Sequence, residues 1–149
     1  MFWWDTLVES QLTVSEFVAP EDQAGVSKIG VTCILSLQTD EDLPSESFQQ
    51  MARAWREAGI HHHRCPIQDH APQPLGDALP SAVEKLRELI EAGHHVLVHC
   101  TAAINRSPTV AAAYLMRYHE YSKQEALARL RRERVDCIPY EELLEARPA

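Results

Sequence analysis

The sequence predicts a single α/β domain over residues 1–149, with a central, mostly parallel, twisted sheet of about five strands flanked by helices. Three observations predict it. Short apolar runs rich in β-branched residues, VTCILSL at 31–37 and HVLVH at 95–99, read as strands buried on both faces. Stretches with apolar residues at helical spacing lie between and after them. Glycine closes three of these stretches, at Gly30, Gly59 and Gly93. Such alternation feeds parallel strands through crossover helices that cover both faces of the sheet.

Taken in order, QLTVS at 11–15 alternates as a strand does. Residues 20–29 open with Pro20, Glu21 and Asp22, which suits a short helix that Gly30 ends. The strand at 31–37 follows. Residues 45–58 carry Phe48, Met51, Ala52 and Trp55 on one stripe and predict a helix. IHHHRC at 60–65 is a strand ending before Pro66. Residues 66–79, within PIQDHAPQPLGDALP, predict a loop stiffened by proline. Pro80 then opens a helix over 81–92 with Val83, Leu86, Leu89 and Ile90 on its apolar face. After the strand at 95–99 come helices at 107–119 and 122–134, the second with Ser122 and Glu125 in capping-box spacing, and a short helix at 140–146.

Composition narrows the function. With 45% hydrophobic and 24% charged residues the chain reads as a globular domain, and no run approaches a membrane span. The N-terminal MFWWDTLVES lacks a basic region, so no leader is expected. A net charge of −8 disfavours nucleic acid and anionic membrane as partners. Arg129, Arg131, Arg132 and Arg134 alternate with Leu130 and Glu133 and read as a solvated helix face. Cys33, Cys65, Cys100 and Cys137 show no CxxC spacing, which points to a reduced, cytoplasmic setting. His61 and His63 would share a strand face, but no second cluster has ligand spacing, so no metal and no cofactor are expected.

The chemistry concentrates in HCTAAINRSP, residues 99–108. A lone Cys-x5-Arg means little, but here a strand delivers Cys100 to the carboxyl end of the sheet and a helix follows at once. The loop Thr101, Ala102, Ala103, Ile104 and Asn105 brings no carboxylate, and its N–H groups are placed to form an anion nest at a helix N-terminus. Arg106 completes the ring, because its planar fork holds two oxygens of a tetrahedral oxyanion at once. These residues describe a phosphate-binding cradle. A thiolate is the nucleophile, and inward dipoles together with Arg106 favour that form of Cys100. His99 then serves to orient the loop, and Ser107 to donate to the thiolate as it leaves.

His99, Cys100, Arg106 and Ser107, within Asn105-Arg106-Ser107-Pro108, closely resemble the signature loop of the cysteine-dependent protein tyrosine phosphatases. That loop reads His-Cys-x-x-Gly-x-x-Arg-Ser/Thr, and the small, atypical dual-specificity branch is the closer match. KIGVTCILSLQ resembles the early central strand of that branch, and LIEAGHHVLVHC its approach to the loop. The resemblance implies a metal-independent phosphomonoester hydrolase working through a cysteinyl-phosphate intermediate on phosphorylated protein, as a cytoplasmic monomer. Position 103 departs from the pattern, with Ala where the family has Gly, whose backbone freedom would let the N–H groups turn inward. A catalytically weak, phosphate-binding relative is therefore an alternative. A sulfur-transfer or arsenate-handling enzyme is a more distant one.

Expelling an alkoxide or phenolate calls for a proton donor, and the proline-rich stretch offers Asp69 and Asp77. In the family the acid precedes the Cys by about thirty residues, and Asp69 precedes Cys100 by 31. The resemblance therefore favours Asp69 and leaves Asp77 as charge near a helix start. His70 helps to shape the pocket or stays solvated, and Cys65 is a redox partner for Cys100 or simply packed. The chain lacks the insertions with which larger tyrosine-specific relatives deepen their pocket, so a shallow site for phosphoserine, phosphothreonine and phosphotyrosine is expected. Thr101 and Ile104 stand where phosphoinositide-directed relatives carry Lys or Arg. VTCILSLQTDEDL is similar to phosphoglucan phosphatases, which makes phosphoglucan the alternative substrate.

Overall fold

The computed structural model describes residues 2–144. Strands β1 (Trp4–Val8), β2 (Leu12–Ser15), β3 (Cys33–Ser36), β4 (His61–Arg64) and β5 (Val96–His99) form one sheet in the order β1-β2-β5-β3-β4. β1 is antiparallel to β2, and every other pairing is parallel. The helices are α1 (Gln23–Ile29), α2 (Phe48–Glu57), α3 (Pro72–Glu91), α4 (Arg106–Tyr118) and α5 (Lys123–Glu133).

The pleat divides each apolar run between two cores. Cys33, Leu35, Val96 and Val98 face Leu86 of α3, Val110 of α4 and Leu127 of α5. Ile34 and Leu97 face the other way, onto Val26 of α1 and Phe48, Met51 and Trp55 of α2. Both faces of β3 and β5 are thus buried, which is why their sequences do not alternate. Ser47 caps α2 by accepting from the Gln50 N–H at 3.2 Å. Ser122 and Glu125 form the expected capping box on α5.

Several expectations need correction. β1 lies in a segment read only for a leader, and its pattern is broken by a buried acid, Asp5. Arg129 explains that acid: its Nη1 and Nη2 donate to Asp5 at 2.7 and 3.1 Å, and Nη2 also to the Thr6 carbonyl at 2.8 Å. The basic run is therefore not simply a solvated face.

The proline-rich stretch is mostly helix, since α3 begins at Pro72 rather than after Pro80. Pro72 and Pro74 stand in the first turn, where N–H groups have no helical acceptor to lose. Pro80 is interior and costs about 3 kcal/mol. Leu75, Leu79, Leu86 and Leu89 on the buried stripe contribute roughly 1.5–3 kcal/mol each and outweigh it. Asp77 is then an exposed residue inside the helix and not part of its start. At the end of the chain the 140–146 helix is a 3-10 turn over Glu141–Leu143, and residues 145 and 146 lie outside the described residues.

Among the described residues β4 is an edge strand paired only with β3. His61 at its start packs on His94, with ring centroids 4.6 Å apart. Among the described residues no group of three His, Cys, Asp or Glu side chains could hold a metal ion. No helix is long and apolar enough to cross a membrane among those residues.

Candidate active site

The site forms where β3, β4 and β5 end. β5 stops at His99, the loop 100–105 turns back, and α4 starts at Arg106. The loop carbonyls fix the direction of its peptides. His99 Nδ1–H donates to Cys100 O at 2.9 Å, and the Phe17 N–H to Thr101 O at 3.0 Å. Arg134 Nη2 donates to Ala102 O at 2.8 Å, and the Ile138 N–H to Ile104 O at 2.7 Å. Thr109 donates to Asn105 O from both its N–H at 3.0 Å and its Oγ1 at 2.6 Å. In a planar trans peptide the N–H opposes the preceding carbonyl. With these carbonyls held from outside the loop, the N–H groups of Thr101, Ala102, Ala103, Asn105 and Arg106 are directed to its inner side.

Ala103 makes this turn with a φ of 59°, in the left-handed region. The conformation that glycine would favour is therefore taken up by alanine, at a cost of roughly 1–2 kcal/mol. Ala103→Gly relieves that strain but adds about 0.4–1 kcal/mol of unfolded-chain entropy. The expected net is a melting temperature higher by up to about 5 °C. kcat/KM is expected to rise by no more than about 30-fold, the equivalent of the whole strain. A lower melting temperature with unchanged kcat/KM would contradict the strained loop.

Cys100 is 2% exposed at the floor of the loop. The Ser107 N–H donates to its Sγ at 3.4 Å, and Ser107 Oγ lies 3.2 Å from Sγ and 3.4 Å from the Ser15 carbonyl. All four cysteines are free. Burial pushes the Cys33 thiol up to about 12 against a small opposing pull from Lys85. Burial also raises the thiols of Cys65 and Cys137.

Arg106 is 1% exposed, and its guanidinium is held by three segments. Nη1 donates to Asp42 Oδ2 at 2.9 Å, Ile67 O at 2.8 Å and Leu37 O at 3.4 Å. Nη2 donates to Asp42 Oδ1 at 3.0 Å, and to Asp69 Oδ2 and Thr101 Oγ1 at 3.2 Å each. Nε is buried and has no partner among the described residues. Asp69 stands in the β4–α3 connection, where its Oδ1 accepts from the His70 N–H at 2.8 Å. His70 itself is exposed and adopts a φ of 71°.

His99 is buried, and its contact with the Cys100 carbonyl requires the proton on Nδ1. Burial holds its pKa down at about 4, so the ring is neutral near pH 7. Burial, with His99 and Arg64 nearby, likewise brings His62 to about 4. His62 Nε2 has no hydrogen-bond partner among the described residues, so a proton there would meet no acceptor. In the unfolded chain both rings regain their ordinary value of 6.5. The unfolded state then binds more protons between about 4 and 6.5, so stability is complete above this window and falls as pH drops through it. The loss is on the order of 3 kcal/mol for each ring. Melting scans from pH 7.5 to 4.5 are expected to show a progressive fall, and a flat profile would contradict the two neutral rings.

The structure thus brings Cys100, Arg106, Ser107, His99 and Asp69 together with the loop Thr101–Asn105, and leaves Asp77 outside. It adds Asp42, which the sequence reading did not name. Its signal was the run TDED at the carboxyl end of a strand, with Thr39 and Asp42 three residues apart as in a cap.

The family described as "Dual specificity phosphatase, catalytic domain" matches residues 15–146. The chain belongs to the dual specificity phosphatase family. It is 33% identical over 119 residues to the dual specificity protein phosphatase Mpk3 of Drosophila melanogaster, covering 79% of this chain and 26% of that protein. It is 33% identical over 126 residues to the amyloplastic phosphoglucan phosphatase DSP4 of Castanea sativa, covering 80% of this chain and 33% of that protein. The chain therefore spans about a quarter to a third of the length of these relatives. Among solved structures, Tk-PTP in its active form superposes with a TM-score of 0.73 at 26% identity, over 89% of this chain and 86% of that one.

Proposed function

We propose that this chain hydrolyses phosphomonoesters of serine, threonine and tyrosine in proteins through a cysteinyl-phosphate intermediate. The observation that carries the reading is the loop around Cys100, whose carbonyls are held from outside, closed by a guanidinium whose Nε has no partner among the described residues. Cys100 Sγ attacks phosphorus in line and forms the S–P bond while the P–O ester bond breaks. Asp69 gives its proton to the leaving oxygen. Water then attacks the same phosphorus and returns a proton to Asp69. The S–P bond breaks, and Ser107 Oγ–H stabilises the departing thiolate. The loop N–H groups and the Nε edge of Arg106 hold the equatorial oxygens as their charge develops, which is where such donors act most strongly. His99 stays neutral and fixes the Cys100 carbonyl.

The substrate choice is supported by the rim of the loop. Ile138 is tied to Ile104 and also accepts from Asn105 Nδ2 at 2.6 Å through its carbonyl. Ile138 is 60% exposed and nearby Val135 is 83% exposed. Aliphatic side chains there suit an apolar residue beside a phosphorylated one. Phosphoglucan remains the second reading because of the similarity to the chestnut enzyme. The test is a turnover panel of phosphopeptides, phosphoinositides and phosphorylated amylopectin, with Cys100→Ser as control. Highest kcat/KM on phosphopeptides is expected. Preference for amylopectin would replace this substrate with the second reading, and no turnover of any of them would leave a phosphate-binding module.

A further inference from the structure

We propose that Asp42 is a positioning residue for Arg106: it grips the guanidinium end-on and so turns the Nε–Nη2 edge toward the phosphoryl group. The inference rests on the phosphatase reading above and deepens it.

A guanidinium presents two useful edges to an oxyanion, one formed by its two Nη atoms and one by Nε with the Nη on the same side. In this protein the first edge is taken. The two oxygens of Asp42 meet Nη1 and Nη2 at 2.9 and 3.0 Å, a bidentate pair. The carbonyls of Ile67 and Leu37 occupy Nη1 further. On the second edge, Nε–H is buried without a partner among the described residues, and Nη2 is shared between Asp69 and Thr101. A buried cationic donor without an acceptor is unfavourable, and a bound phosphoryl oxygen would satisfy it. The same edge lies beside the proton donor, since Asp69 Oδ2 is 3.2 Å from Nη2.

An opposite role would have Asp42 act as a plug, a carboxylate seated in the phosphate position that substrate must displace. Its surroundings argue for a fixed support. Oδ2 accepts from the Thr39 N–H at 2.7 Å and Thr39 Oγ1 at 3.1 Å, and Oδ1 from Thr101 Oγ1 at 3.2 Å. With the two Arg106 bonds, its oxygens accept five hydrogen bonds, three of them from groups other than Arg106. The Asp42 side chain is only 12% exposed. Burial would raise its pKa, but the Arg106 fork and the Thr39 N–H outweigh that and hold it down at about 2. The carboxylate therefore stays charged throughout the range in which a phosphatase works.

The experiment compares the full chain with Asp42→Asn, Arg106→Lys and the double variant. Turnover of p-nitrophenyl phosphate is followed, tungstate binding is measured by calorimetry, and melting temperature is recorded. Asp42→Asn is expected to lower kcat/KM by about 10²-fold, the cost of misplacing a catalytic group by about an ångström. Tungstate binding weakens with it. In the Arg106→Lys background the same change has little further effect, because lysine has no fork to orient. A purely structural role would cost the same in both backgrounds. Unchanged kcat/KM, additive losses or tighter tungstate binding by Asp42→Asn would overturn the inference, and tighter binding would identify a plug. If Asp42→Asn does not fold, Thr39→Val, which removes one bond to Oδ2, is expected to give a smaller loss of the same kind. Tungstate binding reads the inference without turnover, so a parent chain that hydrolyses nothing would sink only the phosphatase reading.

Discussion

Cys100→Ser is expected to lower hydrolysis of p-nitrophenyl phosphate by at least about 10⁴-fold, the scale seen when a covalent nucleophile is removed. A serine hydroxyl at this site has no base to take its proton: His99 is spent on the Cys100 carbonyl, and burial keeps its ring neutral. The inward N–H groups and Arg106 do not depend on sulfur, so tungstate and inorganic phosphate remain ligands of the variant. Orthovanadate should inhibit the parent chain, and EDTA should leave it unaffected, since no step of the proposed reaction uses a metal. Undiminished turnover by the serine variant, or loss of the parent's activity on chelation, would rule out the mechanism.

Asp69→Asn is the second large effect, with kcat falling by about 10²–10⁴-fold, the usual contribution of a positioned general acid. The loss should depend on the leaving group. Alkyl phosphates such as phosphoserine need the proton most, and p-nitrophenolate needs it least. The alkaline limb of the pH–rate profile should flatten, because the asparagine variant has no proton to lose. Its amide oxygen can still meet Arg106 Nη2, so KM should change far less than kcat. Asp77→Asn supplies the control, as an exposed residue of α3 outside the site. A larger loss at position 77 would show that the wrong acid had been assigned.

The sequence carried most of the sheet because its buried strands are short apolar runs with little else to be. It carried the cradle because Cys, Arg and Ser at that spacing follow such a strand directly. Asp69 was singled out by its distance to Cys100 only in the light of the resemblance, and the structure places it against Arg106. β1 was not, because an edge strand with a buried Asp5 looks polar until Arg129 is brought to it from the far end of the chain. The start of α3 was hidden by prolines, whose meaning depends on whether they fall in a first turn or an interior one. Asp42 was hidden for a related reason. A run of acids after a strand reads as solvated charge, and only the crossover that lays β3 beside β5 puts it against Arg106. In each case the missing information was a contact between distant segments, which local pattern does not encode.

The strand that leads into Cys100 is the last of the five to be synthesised and the middle one in the sheet. β1 with β2, and β3 with β4, can pair before it emerges, yet neither pair borders the other without it. β5 therefore acts as a keystone: inserting it joins two half-sheets and delivers Cys100, the proposed nucleophile, in one event. Arg134 and Ile138, which hold the loop carbonyls, emerge later still. A chain caught midway through assembly would hold its cysteine without the surroundings that make it reactive, so catalytic competence and completion of the fold arrive together. Late, long-range insertion also makes for slow folding. The amides of β5 should accordingly exchange with solvent only through global unfolding, and more slowly than those of the edge strands β1 and β4.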